Sequence, residues 1–499
     1  MGVTLPHLCQ KSRKIFLFAV IFTGTFAAFR NIFHWLSGHM GRCIWKKTDE
    51  AWRPLSVFLW TFGILASVNL LILFLCKYPG NLTVDSWNQI RQNLTGQYSN
   101  HHPFYHTMMI RLTMGIGFRL FHDINAAVAV YSFFSVLLMA AAFAFTTATT
   151  AEMRAPKWMV AVMAAFFILM PYHIMYSMTM WKDVPFGAFI LLSLVFFFRI
   201  ERKLSLRALN CLGFAVTGAG VCLFRSNGFF VFAFVTLAFF LLWRFRQKKM
   251  LLAMICILVF SFILKHPVLD ALHVQQADAI EGLSIPAQQI ARVITDQGEL
   301  TEEDRALLSH VVDLDQVAQT YEPYISDPIK NLVRAKNQED YIREHAGAFL
   351  SLYIREGMRH PSSYLKAWID ETRGYWNAGY AYWRWRDSAR SEKLGITRTT
   401  KSPALNRLVT KYVSLYTELP MLQIFVSIGF FDWLLLMALF VSIRRRDRMG
   451  VMMSVPLVMN VVSLLIATPV FAEFRYNYAV FCAMPFILTS VFRPGEEDR

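Results

Sequence analysis

Long runs of apolar residues recur along the chain, and they restrict the fold more than any other feature. A helix needs about 20 apolar residues to cross the hydrocarbon core of a bilayer, where only helices and closed barrels satisfy the backbone. The sequence therefore predicts an all-α polytopic membrane protein embedded in a lipid bilayer. The predicted spans are residues 55–76, 125–148, 158–180, 184–198, 208–224, 229–243, 251–264, 421–443, 449–470 and 478–492.

The N-terminal run at 15–36 contains Arg30 and His34, so both a further span and an interfacial helix stay open for it. No small-residue cleavage site is evident, which favours a retained segment over a signal peptide. We therefore expect residues 1–54 to form an N-terminal segment with a cytoplasmic linker.

The net charge of +16 would suggest a nucleic-acid partner in a soluble protein. Here the basic residues fall in short runs between apolar segments, which is the pattern that marks cytoplasmic loops. We therefore expect no nucleic-acid partner, and we place the loop 77–106 on the extracytoplasmic side of the membrane. The runs are Arg42/Lys46/Lys47, Arg154/Lys157, Arg199/Arg202/Lys203/Arg207, Arg244/Arg246/Lys248/Lys249 and Arg444/Arg445/Arg446/Arg448.

Residues 266–420 are polar and helical in pattern, and they are too long for a simple connector. Thr301 followed by Asp304 reads as a capping box. We predict an extracytoplasmic helical domain here, between a core bundle at 55–265 and C-terminal spans at 421–499. An amphipathic juxtamembrane helix is expected at 103–121. The seven cysteines include no CxxC pair and none lies in 266–420, so neither a disulfide framework nor a thiolate zinc site is expected.

The loop 77–106 carries the best candidate for chemistry. Asp85 is the one acid between Trp60 and Arg119, and a lone carboxylate near the membrane boundary suits a general base or a metal ligand. The alternative is a helix cap. His101 and His102 would position a phosphate, ligate a metal or simply precede a helix; a divalent metal requirement stays open.

Further polar residues lie at the predicted outer ends of other spans. Lys182 with Asp183, Arg225 with Asn227, and Glu473 with Arg475 come from separate loops on one predicted side. Structural ion pairs are one interpretation of these residues. The other is a site for an anionic, membrane-held substrate such as a polyprenyl phosphate, because arginine binds phosphate bidentately.

An aromatic cluster at 374–385 includes Tyr375 and Trp376. Aromatic residues anchor proteins at membrane interfaces. They also stack on sugar faces or isoprenoids, so the cluster fits either role.

These features resemble the glycosyltransferase C superfamily, and its protein mannosyltransferase and aminoarabinose transferase branch in particular. The shared features are an acid after the first core span, here Asp85, and a His-Pro pair, here His102 and Pro103. Ser86 stands where a second acid often occurs, and Phe104 replaces the second proline of the motif. The long insertion 266–420 and the Arg475-Tyr476 pair are also similar to that branch.

The chain also resembles a group of bacterial multi-spanning proteins, which implies a bacterial cytoplasmic (inner) membrane with the active site facing outside. The motifs that carry this resemblance are Tyr78/Pro79/Gly80, Asp85/Ser86, His102/Pro103, Lys182/Asp183, Arg225/Asn227/Gly228, the stretch 285–292 and Gly374/Tyr375/Trp376.

The sequence-based hypothesis is an inverting membrane glycosyltransferase that uses a polyprenyl-phosphate-linked sugar donor and a cell-envelope glycan, lipid or protein acceptor. Asp85 is the expected base, and the other roles are shared among the remaining candidates. Lys182, Arg225, Arg475 and His102 would bind the donor phosphate, Asp183, His101, Glu473 and Asn227 would support them, and Tyr375 and Trp376 would contact the acceptor.

Two other classes stay open. A transporter or flippase of a lipid-linked or anionic substrate would use the same cations, but nearer the middle of the membrane. A non-catalytic envelope-assembly protein would use the domain at 266–420 as a binding module.

Overall fold

The computed structural model describes residues 52–380, 383, 394–491 and 493, together with seven residues between 24 and 35. Most of the run at 15–36 therefore lies outside the described residues, as do parts of the aromatic cluster at 374–385. The described chain is helical, and its only β contacts are isolated bridges. The predicted all-α polytopic fold is confirmed.

Twenty-three α-helices, numbered here from Pro54, follow one another through the described residues. They are α1 (Pro54–Cys76), α2 (Val84–Thr95), α3 (Phe104–Phe121), α4 (Ile124–Glu152), α5 (Lys157–Leu169), α6 (Pro171–Ser177), α7 (Asp183–Glu201), α8 (Arg207–Phe224), α9 (Gly228–Trp243), α10 (Lys248–Lys265), α11 (Pro267–Ala271), α12 (Ser284–Thr295), α13 (Glu302–Val311), α14 (Leu314–Thr320), α15 (Asp327–Lys336), α16 (Glu339–Glu344), α17 (Ala346–Arg359), α18 (Pro361–Trp376), α19 (Pro403–Glu418), α20 (Pro420–Gln423), α21 (Ile428–Arg444), α22 (Arg448–Ala467) and α23 (Tyr478–Val491). Short 3₁₀ turns cover Arg244–Gln247, Ala279–Leu283, Ile424–Val426 and Phe474–Asn477.

Six helical stretches in the described residues are long and apolar enough to cross a membrane, or up to eight if each of two bent pairs counts as one span. The bent pairs are Lys157–Leu169 with Pro171–Ser177 and Pro420–Val426 with Ile428–Arg444, and they bend by 55° and 60°. Helix α23, with 14 residues, is shorter than a typical span. That the chain crosses the membrane ten times stays a prediction.

The apolar stretch Gly228–Ala271 folds back on itself. Arg244 has a positive φ of 52° at the end of α9, where the chain reverses. The far ends then meet, because Lys265 Nζ donates to the carbonyl of Ser226 at 3.4 Å. This stretch therefore forms two antiparallel helices, α9 and α10, as the sequence predicted.

Close packing at one position explains the fit of α3 against α4. A Cβ on Gly117 would lie 2.7 Å from the Cα of Ala127, so only glycine fits there. Asp123 caps α4 by accepting from the amide of Ala126 at 2.7 Å. Helix α3 is therefore fixed to the bundle, and it begins at Phe104, next to the predicted Pro103 start.

A second hydrophobic core, separate from that of the bundle, lies within helices α12–α17 and the 3₁₀ turn ahead of them, and it includes Ile280, Leu308, Val317 and Leu352. Thr301 caps α13 at the edge of this core, where its Oγ1 accepts from the amide of Asp304 at 3.1 Å. The Asp304 carboxylate accepts from the Thr301 hydroxyl at 2.7 Å and not from its amide, so the predicted capping box is present only as an N-cap. We call residues 279–359 the loop domain. Its side of the membrane stays a prediction.

The last part of the predicted 266–420 domain packs on the bundle. Val409, Val413 and Tyr416 of α19 belong to the main core. Ahead of α19, the amide of Thr399 donates to the carbonyl of Tyr78 at 3.0 Å. The chain thus returns from the loop domain across the loop that follows α1.

Candidate functional site

The first loop is joined to the segment ahead of α7 by a set of short contacts. Asn81 forms a parallel bridge with Thr179. Ser86 Oγ donates to the carbonyl of Met180 at 2.7 Å, and Trp181 Nε1 donates to Thr83 Oγ1 at 2.7 Å. These contacts bring the start of α2, with Asp85, beside Lys182 at the start of α7.

Asp85 lies in the first turn of α2, and Thr83 is the N-cap, so the capping interpretation of Asp85 is wrong. Its Oδ2 lies 2.7 Å from Nη1 of Arg475. Burial opposes ionisation of Asp85, but the charges of Arg475, Lys182 and His102 prevail and hold its pKa below the usual range. Asp85 is therefore an ionised carboxylate in a positively charged setting.

Arg475 lies in the 3₁₀ turn Phe474–Asn477, and a hydrogen bond to the bundle fixes this turn. Asn477 Nδ2 donates to Oδ1 of the buried Asp432 at 2.7 Å. The Arg475 guanidinium lies 5.1 Å from the ring centre of Trp181 and 5.0 Å from that of Tyr476. Aromatic rings thus restrict the guanidinium on two sides, while Asp85 contacts its end.

Glu473 precedes this turn and lies 3.8 Å from Nε of Arg475. Burial raises the pKa of Glu473, although Arg475 opposes the shift. Burial and Arg475 thus act on the pKa of Glu473 in opposite directions, and burial prevails, whereas for Asp85 the neighbouring charges prevail.

Lys182 and His102 form the second pair of the site. The Nζ of Lys182 lies 3.4 Å from Nδ1 of His102. Burial and the charge of Lys182 lower the pKa of His102 to about 3, and burial also lowers the pKa of Lys182. His102 is thus a neutral acceptor for Lys182 at physiological pH, and it leaves the ammonium without a formal counter-charge at this contact.

Arg225 lies at the end of α8 and is almost fully buried. Its Nη1 lies 3.3 Å from Oδ1 of Asp183 and donates to the carbonyl of Tyr476 at 2.8 Å. Both carboxylate oxygens of Asp183 are buried without a hydrogen bond from the described residues. The Arg225–Asp183 contact is thus electrostatic and loose, and it is open to exchange for a better acceptor.

Asn227 supports this region through another helix. Its Nδ2 donates to Ser463 Oγ at 2.7 Å and to Asn460 Oδ1 at 3.3 Å. Asn460 Nδ2 in turn donates to the carbonyl of Tyr476 at 3.3 Å. The network links α9 and α22 to the turn that carries Arg475.

Two predicted site residues lie on α18, beside the segment that leads to Arg475. Tyr375 is fully buried, and its hydroxyl lies 3.0 Å from Thr468 Oγ1. The main chain of Trp376 accepts from Trp433 Nε1 at 2.7 Å. Both residues link α18 to the bundle, and their contact with an acceptor stays a prediction.

His101 faces the loop domain instead of the charged cluster. It could share a metal ion with Asp278 and Glu281, whose ligand atoms lie within 4.8 Å of one another. Glu281 already pairs with Lys330 at 3.1 Å and with Arg334, which offsets the negative charge that a cation needs. The donor set fits a divalent metal poorly.

The structure adds residues that sequence reasoning did not select. Arg398 Nη2 donates to Asn81 Oδ1 at 2.5 Å and to the carbonyl of Gly80 at 3.2 Å. His106 lies between Gln89 Oε1 at 3.0 Å and the hydroxyl of Tyr131 at 2.8 Å. His106 was visible in the loop, but Arg398 is more than 300 positions from its partners, and no local pattern indicates such a contact.

Residues 91–499 match the model of a family of unknown function (DUF6020). The chain belongs to this family. The match includes the positions of His102, Lys182, Arg225 and Arg475, and it begins six residues after Asp85. No curated protein and no solved structure matches the chain.

Proposed function

We propose that this family member is a membrane glycosyltransferase. It moves a sugar from a polyprenyl-phosphate-linked donor to a cell-envelope acceptor on the outer side of the bacterial inner membrane. The observation that carries the proposal is the Asp85–Arg475 contact of 2.7 Å, within a cluster that also contains Lys182 and Arg225. The resemblance to the glycosyltransferase C superfamily supplies the reaction class.

Donor binding uses the three cations. Arg475, Arg225 and Lys182 each have a partner within the protein, and the partners of Arg225 and Lys182 are at 3.3 and 3.4 Å. A phosphate brings more charge and better geometry than these partners, so it displaces them. The cations then stabilise the negative charge that grows on the leaving phosphate during transfer.

Phosphate binding also activates the base. While Arg475 contacts Asp85, the carboxylate has a low pKa and accepts a proton poorly. When the phosphate attracts Arg475, the pKa of Asp85 rises, and its carboxylate takes the proton of the acceptor hydroxyl as that oxygen attacks the anomeric carbon. The sugar–phosphate bond breaks as the new glycosidic bond forms, and a single displacement inverts the anomeric centre.

The position of the charges favours an enzyme over a transporter. Lys182 precedes the first residue of α7, and Arg225 follows the last residue of α8. A transporter that alternates access requires its substrate site near the membrane midplane. Charges at the ends of spans instead suit chemistry on a lipid headgroup.

Binding is tested first, by native mass spectrometry of the full chain with farnesyl phosphate and with farnesol. We expect tighter retention of farnesyl phosphate than of farnesol, and about tenfold weaker retention of farnesyl phosphate by Arg475→Gln because a charge-assisted bidentate contact is lost. Retention of farnesyl phosphate that Arg475→Gln leaves unchanged, at the level of farnesol, would refute a phosphate site.

Transfer is tested second, with the protein in lipid nanodiscs and a panel of labelled polyprenyl-phosphate sugars. Asp85→Asn should abolish transfer while farnesyl phosphate still binds. Asp340→Asn, the same change at an exposed carboxylate, should transfer normally. Near-normal turnover by Asp85→Asn would remove Asp85 from the mechanism, and solute uptake by proteoliposomes without any transfer would favour transport.

A further inference from the structure

A cavity of about 330 Å³ lies inside the loop domain. The described lining residues are aliphatic or aromatic throughout, and the one polar side-chain atom among them, the hydroxyl of Tyr353, is occupied because it donates to Gln289 Oε1 at 2.6 Å. Protein interiors hold few voids larger than a water molecule, and an apolar cavity of about 150 Å³ suffices to bind benzene. The size and lining of this cavity therefore suit an apolar ligand.

Two lining residues, on α17 and on the turn ahead of α12, reach the surface of the loop domain. Leu283 and Leu350 line the cavity and are 38% and 59% exposed, while Leu308 and Val333 on the inner wall are buried. The two exposed leucines offer an apolar path from the surface to the interior. None of the described residues that line the cavity is charged, so the ligand must enter by an apolar portion.

An apolar stripe extends from Leu350 along α17. Leu350, Ile354 and Met358 are 59%, 51% and 74% exposed, and their spacing of four places them on one face of the helix. Leu365 at the start of α18 is exposed as well. Exposed apolar faces of this kind mark a contact with a membrane or another apolar partner.

The helix that follows the stripe contacts the end of a candidate span. Trp368 of α18 donates from Nε1 to the carbonyl of Leu465 at 2.9 Å. Leu465 lies near the end of α22, a candidate span, and the next residue, Ile466, is 64% exposed. The helix α18 therefore lies beside the exposed apolar end of a candidate span.

We propose that the cavity binds one hydrocarbon chain of a membrane lipid. This hydrocarbon chain leaves the bilayer along Leu365, Met358 and Ile354 and enters the loop domain past Leu350. Either an acyl chain or an isoprenoid chain provides this chemistry. The proposal rests on the lining of this cavity and on exposed apolar residues, and on none of the charged residues of the cluster, so it holds independently of the glycosyltransferase reaction.

Photo-crosslinking in nanodiscs tests the proposal with the full chain. The discs contain phosphatidylglycerol and a small fraction of phosphatidylcholine with a diazirine in the acyl chain, and labelled peptides are mapped by mass spectrometry. We expect labels on the cavity-lining segments of α12 and α17 as well as on α1, which serves as an internal standard for bilayer contact. Labels on the spans alone would overturn the proposal.

A filling variant provides the specific control. Ala291 lines the cavity and is 2% exposed, so Ala291→Trp should lower labelling of α12 about tenfold relative to α1, because the indole occupies the space of the chain. Ala287→Phe makes a smaller change at a half-buried lining position and serves if the first variant does not fold. Ala335→Trp adds the same bulk on the outer face of α15 and should label normally. Unchanged labelling in both filling variants would refute the site.

A competition experiment identifies which kind of hydrocarbon chain the cavity binds. Farnesol lowers labelling of α12 if the site prefers an isoprenoid, and palmitate lowers it if the site prefers an acyl chain. If both compete equally, the cavity recognises a hydrocarbon chain without regard to branching, which also supports the proposal. If neither reduces the label at concentrations that leave α1 labelling unchanged, the cavity is not a lipid site.

Discussion

The carboxylate of Asp85 and the guanidinium of Arg475 meet at 2.7 Å, although 390 positions separate them in the chain. The contact joins the loop after α1 to the turn before α23. It therefore connects the start of the described bundle to its end, at the same place where Lys182 and Arg225 lie.

A double-mutant cycle should detect this pair as a unit. Asp85→Asn and Arg475→Gln should each destabilise the fold by about 3 kcal/mol, since each removes the nearest counter-charge of a partly buried group, whereas the double variant should cost clearly less than the sum. Thermal unfolding in one detergent measures all three variants. Additive losses would show that the two side chains do not interact, and Asp340→Asn should stay within about 0.5 kcal/mol of wild type.

The pH dependence of stability should report the neutral state of His102. Its folded pKa of about 3 lies below the unfolded value of about 6.5. Between these values the unfolded chain holds a proton that the folded protein lacks, so this contribution to stability is complete above pH ~6.5 and declines as the pH falls toward ~3.

His102→Asn should therefore flatten the stability curve. Between about pH 6 and 4.5 the slope should decrease by up to ~1.4 kcal/mol per pH unit, the value for one proton. Melting curves in matched buffers compare the variant with wild type and with His273→Asn, a change at an exposed histidine. An unchanged slope would mean that His102 is protonated in the folded state.

The sequence predicted the membrane fold because the physical signal is local: each apolar run fixes its own helix through the need to satisfy backbone groups in lipid. The same reasoning located Lys182 and Arg225, since charges at the ends of such runs are conspicuous. Arg199 shows the limit of this approach. It belongs to the basic runs that mark cytoplasmic loops, but its side chain is buried and pairs with Glu152 at 2.6 Å.

Long-range pairing accounts for most of what the sequence did not predict. Tyr375 belongs to a cluster for which the sequence left open an interface anchor or a stacking surface, but it is fully buried and its hydroxyl lies 3.0 Å from Thr468 Oγ1, 93 positions away. His101 and His102 are adjacent in sequence, but they face different partners, Glu281 and Lys182. The partners of such residues depend on tertiary packing, and residue type and spacing do not indicate them.

A glycine should matter where α18 meets the segment before Arg475. A Cβ at Gly374 would lie 2.2 Å from the Cβ of Ala472, and the amide of Gly374 donates to the carbonyl of Phe471 at 3.0 Å. Gly374→Ala should therefore cost about 1–3 kcal/mol by overpacking and should weaken farnesyl phosphate binding by displacing the Arg475 turn.

Gly347 provides the matched control, because it is also helical and a Cβ added there would meet no neighbouring atom of the described residues within 4 Å. Gly347→Ala should be neutral or stabilise the protein by up to about 1 kcal/mol through helix propensity. Thermal unfolding and native mass spectrometry measure both variants. If Gly374→Ala binds and melts like Gly347→Ala, the α18 contact does not position Arg475.

The orientation of the bundle can be tested through two surface positions. Asp340 lies in the loop domain and has an 89% exposed side chain, and Arg446 lies in the basic turn between α21 and α22. The positive-inside rule predicts that Arg446 lies in the cytoplasm. If α22 crosses the membrane once, the Arg475 turn at its other end then lies outside.

A membrane-impermeant maleimide should therefore label Asp340→Cys in intact cells, whereas Arg446→Cys should require permeabilisation. The unsubstituted protein sets the background from its own cysteines. Labelling of Arg446→Cys alone in intact cells would invert the topology and place the charged cluster in the cytoplasm, where an extracytoplasmic acceptor cannot reach Asp85. Equal labelling of both variants in intact cells would mean that the two positions share one side, contrary to the predicted crossing between the loop domain and Arg446.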